Sequence, residues 1–351
     1  MITSRRILPI NLSVGDEIFF QHELVKEFPD YHLTTIYNAL ITPDGVVLQN
    51  SRIEESSLFA TSHKSYFTGV YKMFYLSVGR FTKTRRGQVI LAFDAWSFGY
   101  FHWMTEFIPR LFEVKHLIAE STVILPSINN GIWNEHSANR SIFRKGTSVA
   151  KANGYYTESL DAFNLNTFYY HKPRKAIKAE KLLIPSHLAY TGNYNDEVMR
   201  EIRSFYFSHH KIQQTAPSKR IFITRKLANR RRITNEAQVI KMVKKCGFEI
   251  VTLENLSFPE QVRLMSQTAF LIGQHGAGLT NLMFMSENSF ILELKTDEDS
   301  MNHCYFSLAS AMKIHYLYQF CKSDGRSVQE ADILVNEEML IKNIDLVLDR
   351  L

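Results

Sequence analysis

Cysteine is scarce in these 351 residues: Cys246, Cys304 and Cys321 are the only three, and none forms a C-x-x-C pair. An odd number cannot all pair within one chain. A disulfide-stapled scaffold is therefore excluded, and reduced, buried thiols in a reducing compartment are expected. No apolar run approaches the ~18 residues of a membrane-spanning helix. The opening stretch "MITSRRILPINLSVGDEIFF" holds two arginines but no continuous apolar segment of signal-sequence length. The expectation is a cytosolic protein, with association at the inner face of a membrane left open. Internal repeats and low-complexity tracts are also missing. Acidic residues fall short of basic ones, 35 against 41, for a formal charge of +6. That balance favours anionic partners and does not choose among nucleic acid, anionic lipid and a phosphorylated small molecule.

What is present reads most clearly in the second half. "RIFIT" (220–224), "FEIVTL" (248–253), "AFLIG" (269–273), "SFILEL" (289–294) and "IHYLY" (314–318) read as short strands. Between them lie helical patterns at 235–246, 257–267 and 305–312. The second of these opens on "SFPE", a capping box with proline in its first turn. Strands alternating with helices predict a parallel sheet covered on both faces, spanning about 215–325. The first half is less regular. "QVILAFD" (88–94), "STVILP" (121–126) and "KLLIP" (181–185) read as strands, with helices expected over about 100–118 and 194–211. Residues 1–80 are ambiguous between strand and loop. The polar, proline-containing "IQQTAPSK" (212–219) marks a boundary. The expected domains are 1–212, 213–325, and a helical 326–351 that packs back on the first.

The stretch "FLIGQHGAGLTN" (270–281) brings a buried strand to glycines and a histidine, then to a helix start. "GQHGAGLT" has the spacing of a phosphate loop, but Leu279 stands where lysine would hold the β- and γ-phosphates, which excludes a P-loop ATPase. A dinucleotide fingerprint fails because Asn281 occupies the third glycine position. A plainer anion site remains. Gly276, Ala277 and Gly278 let a diphosphate approach bare backbone at a helix N-terminus, and Thr280 and Asn281 can add side-chain bonds. A ligand-free tight turn is the competing reading. It leaves His275 at the tip unexplained.

Residues 219–232, "KRIFITRKLANRRR", hold seven basic residues and no acid. Nucleic-acid binding is one reading. The run also straddles a strand end on the sheet edge of the glycine turn, so Arg225, joined by one of Arg230, Arg231 and Arg232, could clamp a diphosphate from the other side. Glu293, at the end of "ILEL", is placed to accept bonds from ribose hydroxyls. "DED" (297–299) reads as a solvated loop. In "SFGYFHWMTEFIPRL" (97–111), His102 and Glu106 share one helical face. Either could be a general base with the other orienting it, or the two could form a structural bond between helices. H-x-x-x-E supplies two metal ligands, but no third is evident, so no metal site is expected.

"FITRKLANRRRITNEAQV", "FLIGQHGAGLTNLMFM" and "ILEL", with "GYFHWMTEFIPRL" before them and "YFSLASAMKIHYLY" after, resemble glycosyltransferase family 61 in ordered blocks over roughly 95–320. The resemblance implies an α/β protein of GT-B type, with two Rossmann-like domains facing across a cleft. It implies an inverting, metal-independent transferase. The nucleoside-diphosphate sugar, UDP-linked, would be a co-substrate, with no other cofactor. It places Arg225, Arg231, His275, Gly276 and Gly278 on the donor side and His102 and Glu106 toward the acceptor. A glycan or lipid-linked glycan acceptor and a role in capsule or cell-surface polysaccharide assembly are the expected setting, with no nucleic acid bound. Two other readings stay open: a catalytically silent nucleotide-sugar-binding partner subunit, and a basic nucleic-acid-binding protein.

Overall fold

The computed structural model of the chain describes residues 2–50, 52–58, 83–126, 154–170, 176–188 and 191–351. The chain divides into two compact units, residues 1–28 with 191–351, and residues 29–190. Both are mixed α/β. The first unit opens with an antiparallel pair, β1 (Ile2–Arg5) and β2 (Val25–Phe28).

Among the described residues the second unit carries seven strands: β3 (Leu33–Ile41), β4 (Val47–Gln49), β5 (Arg52–Glu54), β6 (Lys83–Leu91), β7 (Ser121–Leu125), β8 (Phe168–Tyr170) and β9 (Ile177–Pro185). They lie in the order β5-β4-β3-β9-β6-β7-β8. β9, β6, β7 and β8 run parallel, while β3, β4 and β5 form an antiparallel extension from β9. The helix expected over 100–118 is present in pieces. An α-turn at Tyr100–His102 passes into π-helix at Trp103–Phe107, then α-helix at Ile108–Glu113 and a 3-10 stretch at Lys115–Glu120. Pro109 explains the reset: it has no N–H for a carbonyl in the preceding turn, so the ladder widens just before it. The N–H of Ile108 reaches the carbonyl of Trp103, five residues back.

The rest of the first unit is built on β10 (Lys219–Ile223), β11 (Glu249–Val251), β12 (Thr268–Gln274), β13 (Phe290–Thr296), β14 (His315–Ser323) and β15 (Ile333–Leu334). Their order is β11-β10-β12-β13-β14-β15, parallel except for β15. β12 and β13 are buried along their whole length, as central strands covered on both faces must be. The capping box read from "SFPE" forms: the N–H of Ser257 donates to Glu260 Oε2 at 2.7 Å and opens helix Phe258–Ser266. Phe222, Ile272, Leu292 and Leu317 of the sheet share one core with Val239 and Val243 of helix Glu236–Lys245. Leu340, Ile344 and Val347 of the C-terminal helix Glu337–Leu348 complete that core, so its apolar face is used inside this unit. Burying one such side chain contributes about 1.5–3 kcal/mol.

Two segments remote in sequence join this unit through specific contacts. Helix Asp196–His209 packs Tyr206 edge-on against Phe258 and Phe284. Buried Arg6 ties down the first residues. It donates to the Tyr194 carbonyl at 2.6 Å and to Ser307 Oγ at 2.9 Å, and it pairs with Asp196. An unmet guanidinium there would be costly, so these acceptors fix where the segment lies.

The chain leaves β10 for β11 on one side of it and returns to β12 on the other. That reversal opens a crevice at the carboxyl ends of β10 and β12, where open α/β sheets bind ligands.

Candidate functional site

The glycine turn sits at that crevice. The N–H of His275 donates to the Leu294 carbonyl at 2.8 Å, which carries the β12–β13 pairing to the strand's last residue. Gly276 follows in extended conformation, and a 3-10 helix runs over Ala277–Phe284. Its first internal bond joins the Leu279 N–H to the Gly276 carbonyl at 2.9 Å. The N–H groups of a helix's opening residues precede that bond and have no partner within the helix. The three glycines serve different neighbours. A Cβ on Gly273 would meet Leu279 Cδ2 at 2.8 Å, and one on Gly278 would meet Leu253 Cδ1 at 3.3 Å. A Cβ on Gly276 would stand 2.5 Å from Arg225 Nη1. Only at Gly276 does the missing side chain make room for a cation. Thr280 and Asn281 are buried, and Asn281 Nδ2 donates to the Gly278 carbonyl at 3.2 Å. These two side chains shape the turn from beneath, and the exposed face of the turn at Ala277 is backbone and methyl.

Arg225 leaves β10 and turns inward. Its Nε donates to the Arg231 carbonyl at 2.7 Å and its Nη2 to the Arg230 carbonyl at 3.3 Å. Arg231 takes up left-handed backbone at φ 54°, uncommon for a side-chain-bearing residue. Its own Nε reaches the Gln329 carbonyl at 3.1 Å, and its Nη1 lies 3.5 Å from the His275 carbonyl. The two guanidiniums thus converge on the glycine turn from a single loop. Burial, then the charge of Arg231, lowers the pKa of Arg225; burial, then Arg230, lowers that of Arg231. Among the described residues neither pairs with a carboxylate. Each donates to backbone carbonyls instead. Two half-buried cations that repel each other would be relieved by a shared anion. Arg230 and Arg232 are exposed.

Sequence reasoning missed the residue that anchors this loop. Glu236, in the first turn of the next helix, accepts from Thr224 Oγ1 at 2.7 Å and from the Arg225 N–H at 3.2 Å. Its signal was the Asn-Glu pair of "TNEAQV", a helix start placed after the basic run.

His275 is held by carboxylates on both sides. Nδ1 bonds Glu293, whose other oxygen accepts from Tyr316 Oη at 2.5 Å. Nε2 lies 3.3 Å from Asn302 Nδ2 and 3.6 Å from Asp299 Oδ2. Burial alone would raise the Glu293 carboxyl. The charges of Lys295 and His275, with the bonds from His275 and Tyr316, hold it below the usual range instead. Glu293 is fully buried with both oxygens engaged, so it orients His275 and has no oxygen left for a ribose. In the acidic triplet, Asp297 and Glu298 are exposed, while Asp299 turns toward His275.

In the second unit His102 and Glu106 do meet: Nδ1 lies 2.9 Å from Oε2. The glutamate side chain is fully buried and the imidazole is 23% exposed, beside the Trp96 ring at 5.4 Å. The carboxylate on Nδ1 selects the Nδ1–H tautomer and leaves the basic lone pair on Nε2. The same helix carries a buried ionic cluster that sequence reading stopped short of. Arg110 Nε donates to the Pro185 carbonyl at 2.9 Å, and its Nη1 lies 3.8 Å from Asp94 Oδ2. His187 Nε2 lies 3.4 Å from that same oxygen. Burial, then the charge of Arg110, pushes the His187 pKa well below 6.5. The helical spacing 102, 106, 110 was the signal available for Arg110.

A family model described as Glycosyltransferase 61 matches residues 100–292. The chain is 30% identical over 135 residues to a Mus musculus protein named EGF domain-specific O-linked N-acetylglucosamine transferase, covering 36% of this chain and 25% of that protein. Proteins of the same name show 31% identity over 130 residues in Drosophila melanogaster and 32% over 103 residues in Gallus gallus. These alignments cover 36% and 28% of this chain, and 25% and 19% of the two relatives. The matches therefore span about a quarter of the relatives' length or less.

Proposed function

The chain belongs to glycosyltransferase family 61, and from that premise we propose that it moves a sugar from a nucleoside-diphosphate sugar to an acceptor hydroxyl with inversion and without a metal. The observation that carries this reading is the convergence of Arg225 and Arg231 on a turn whose Gly276 leaves room for the Arg225 guanidinium. A pyrophosphate laid there would accept from two guanidiniums and from the N–H groups of residues 277–278. As the bond between C1 and the β-phosphate oxygen breaks, the electron pair goes to that oxygen, where these donors stabilise it. They supply the positive charge that a divalent ion provides elsewhere. The acceptor oxygen forms its bond to C1 from the opposite face and passes its proton to His102 Nε2, with Glu106 holding the ring.

A GT-B arrangement belongs to this proposal, with residues 213–325 as the nucleotide-sugar-binding part and the base supplied by the other Rossmann-like unit. The relatives' names favour N-acetylglucosamine as the sugar and an EGF-domain or similar polypeptide as acceptor. They turn the reading away from capsule assembly. Cys246, Cys304 and Cys321 are free thiols. No helix among the described residues is long and apolar enough to cross a membrane.

The test is turnover of UDP-N-acetylglucosamine by the purified chain in EDTA, with the anomeric configuration of the product read by NMR. β-Linked product or water-hydrolysed sugar from this α-donor, formed in EDTA and absent in Arg225→Ala, supports the proposal. Retention, or activity only on adding a metal, refutes its mechanism.

A further inference from the structure

The donor crevice has a second wall, and it carries an unused carboxylate. β11 lies beside β10 in register, with Ile223 opposite Val251, and the Thr224 N–H donates to the Val251 carbonyl at 2.9 Å. The end of β11 is therefore level with the point where Arg225 leaves β10. The chain then makes a 3-10 turn over Leu253–Asn255. Leu253 reaches the glycine turn itself, its Cδ1 standing 3.3 Å from where a Gly278 Cβ would lie. Gln261 pins the turn from the following helix, its Nε2 donating to the carbonyls of Leu253 and Leu256 at 3.1 Å each. Glu254 sits in this rigid turn, exposed to solvent. Among the described residues it makes no hydrogen bond and no ion pair. It is near enough to Arg225 for its charge to oppose the burial and the Arg231 repulsion that lower that guanidinium's pKa.

We propose that Glu254 recognises the ribose of the donor, its carboxylate accepting the vicinal hydroxyls of a nucleoside diphosphate whose phosphates lie on residues 276–278 and Arg225. This rests on the nucleoside-diphosphate reading above. Glu254 follows Leu253, which touches the glycine turn, and stands at the carboxyl end of β11 beside β10, the strand that delivers Arg225. An acidic residue at such a strand end is suited to take ribose hydroxyls. A carboxylate with two acceptor oxygens suits a diol, and it would repel a phosphate placed in its stead. It also fills the role that buried Glu293 cannot.

The charge gives the test opposite signs for two probes. Inorganic pyrophosphate and the four ribonucleoside diphosphates UDP, GDP, ADP and CDP are titrated calorimetrically into the full chain. The tightest nucleotide is then compared with its 2′-deoxy counterpart, in wild type and in Glu254→Gln. A lost bond to a charged acceptor lowers affinity about 10- to 100-fold. Wild type should prefer the ribonucleotide over the deoxynucleotide by that factor. Glu254→Gln should lose the preference while binding pyrophosphate as well as or better than wild type, which also shows that the variant is folded. Equal affinity of wild type for the ribo and deoxy forms overturns the inference while leaving the diphosphate site standing. So does a ribose preference that survives in Glu254→Gln. Binding of neither pyrophosphate nor any nucleotide by wild type overturns the diphosphate reading and this inference together.

Discussion

Two histidines in this molecule make the same bond, Nδ1 to a buried glutamate, in two different settings. His102 and Glu106 lie four residues apart on one helix, while His275 follows the end of β12 and Glu293 lies midway along neighbouring β13. Around His275 the second nitrogen is also met, by Asn302 and Asp299, and the glutamate is further bound by Tyr316. Around His102 the neighbouring rings include Trp96, tilted, and Phe101, in an edge arrangement. A ring fixed on both nitrogens is suited to hold charge and shape in place. A ring held at Nδ1 by a buried carboxylate and lined by aromatic side chains has the pattern of an oriented base. On the reading proposed above, His275 serves the donor turn and His102 the chemical step.

The sharpest way to break that assignment is to mutate each ring. His102→Ala should lower kcat about 10²- to 10⁴-fold with donor affinity unchanged. Glu106→Gln should lower kcat by less, because the ring stays in place but loses its tautomer lock. His275→Ala should act on donor affinity. If both alanine variants changed the same parameter, the contrast between the two rings would be wrong. Next in size, Arg225→Ala should lose about 3–4 kcal/mol of transition-state stabilisation, roughly 10²- to 10³-fold in kcat/KM, with the melting temperature held. Lysine at 225 should not rescue it, since the guanidinium bonds two carbonyls in a fixed fork. A smaller effect is expected at Gly276→Ala. The backbone there is extended and tolerates a side chain, so the only penalty is the 2.5 Å approach of Arg225 Nη1. Overpacking of that kind costs about 1–3 kcal/mol, to be seen as weaker pyrophosphate binding. Unchanged binding would show that the guanidinium moves freely.

The smallest effects concern pH, and again each unit supplies one case. His303 in the first unit, packed against Phe20, has its pKa lowered to about 4, mainly by burial and then by Lys295. His187 in the second is pushed well below 6.5 by burial and Arg110. Both folded pKa values lie below the unfolded value of about 6.5, so on acidification the unfolded chain takes up protons first. Stability should fall as pH drops below about 6.5, and for His303 the fall should level off near pH 4. Urea midpoints of wild type, His303→Gln and His187→Gln across pH 7.5 to 4 check this. A slope that neither substitution reduces would assign the acid sensitivity to the carboxylates.

Much of the first unit was legible because its central strands, β12 and β13, are short and buried throughout. Continuous apolar runs such as "AFLIG" separated by capped helices leave few alternatives to a parallel sheet. The convergence of Arg225 with the glycine turn followed from placing both at carboxyl ends of strands. Other features were not legible, since they depend on contacts far apart in sequence. Nothing local in "SRRILP" signals that Arg6 meets Tyr194 and Ser307. The role read for Glu293 assumed an outward side chain. Strand alternation in fact turns Glu293 and Lys295 to one buried face, where Tyr316 and the Asn302 carbonyl meet them. The π-helical turn at Trp103–Phe107 was hidden as well, because a 3.6-residue pattern also brings residues 102 and 106 together.

The central claim is that guanidinium and backbone N–H groups, with no cation, grip a pyrophosphate. Calorimetric titration of inorganic pyrophosphate and ribonucleoside diphosphates into the full chain in EDTA, beside Arg225→Ala, tests it most directly. Saturable one-to-one binding by wild type that is lost in the variant is the predicted result. Absence of binding, or equal binding by Arg225→Ala, would contradict the account.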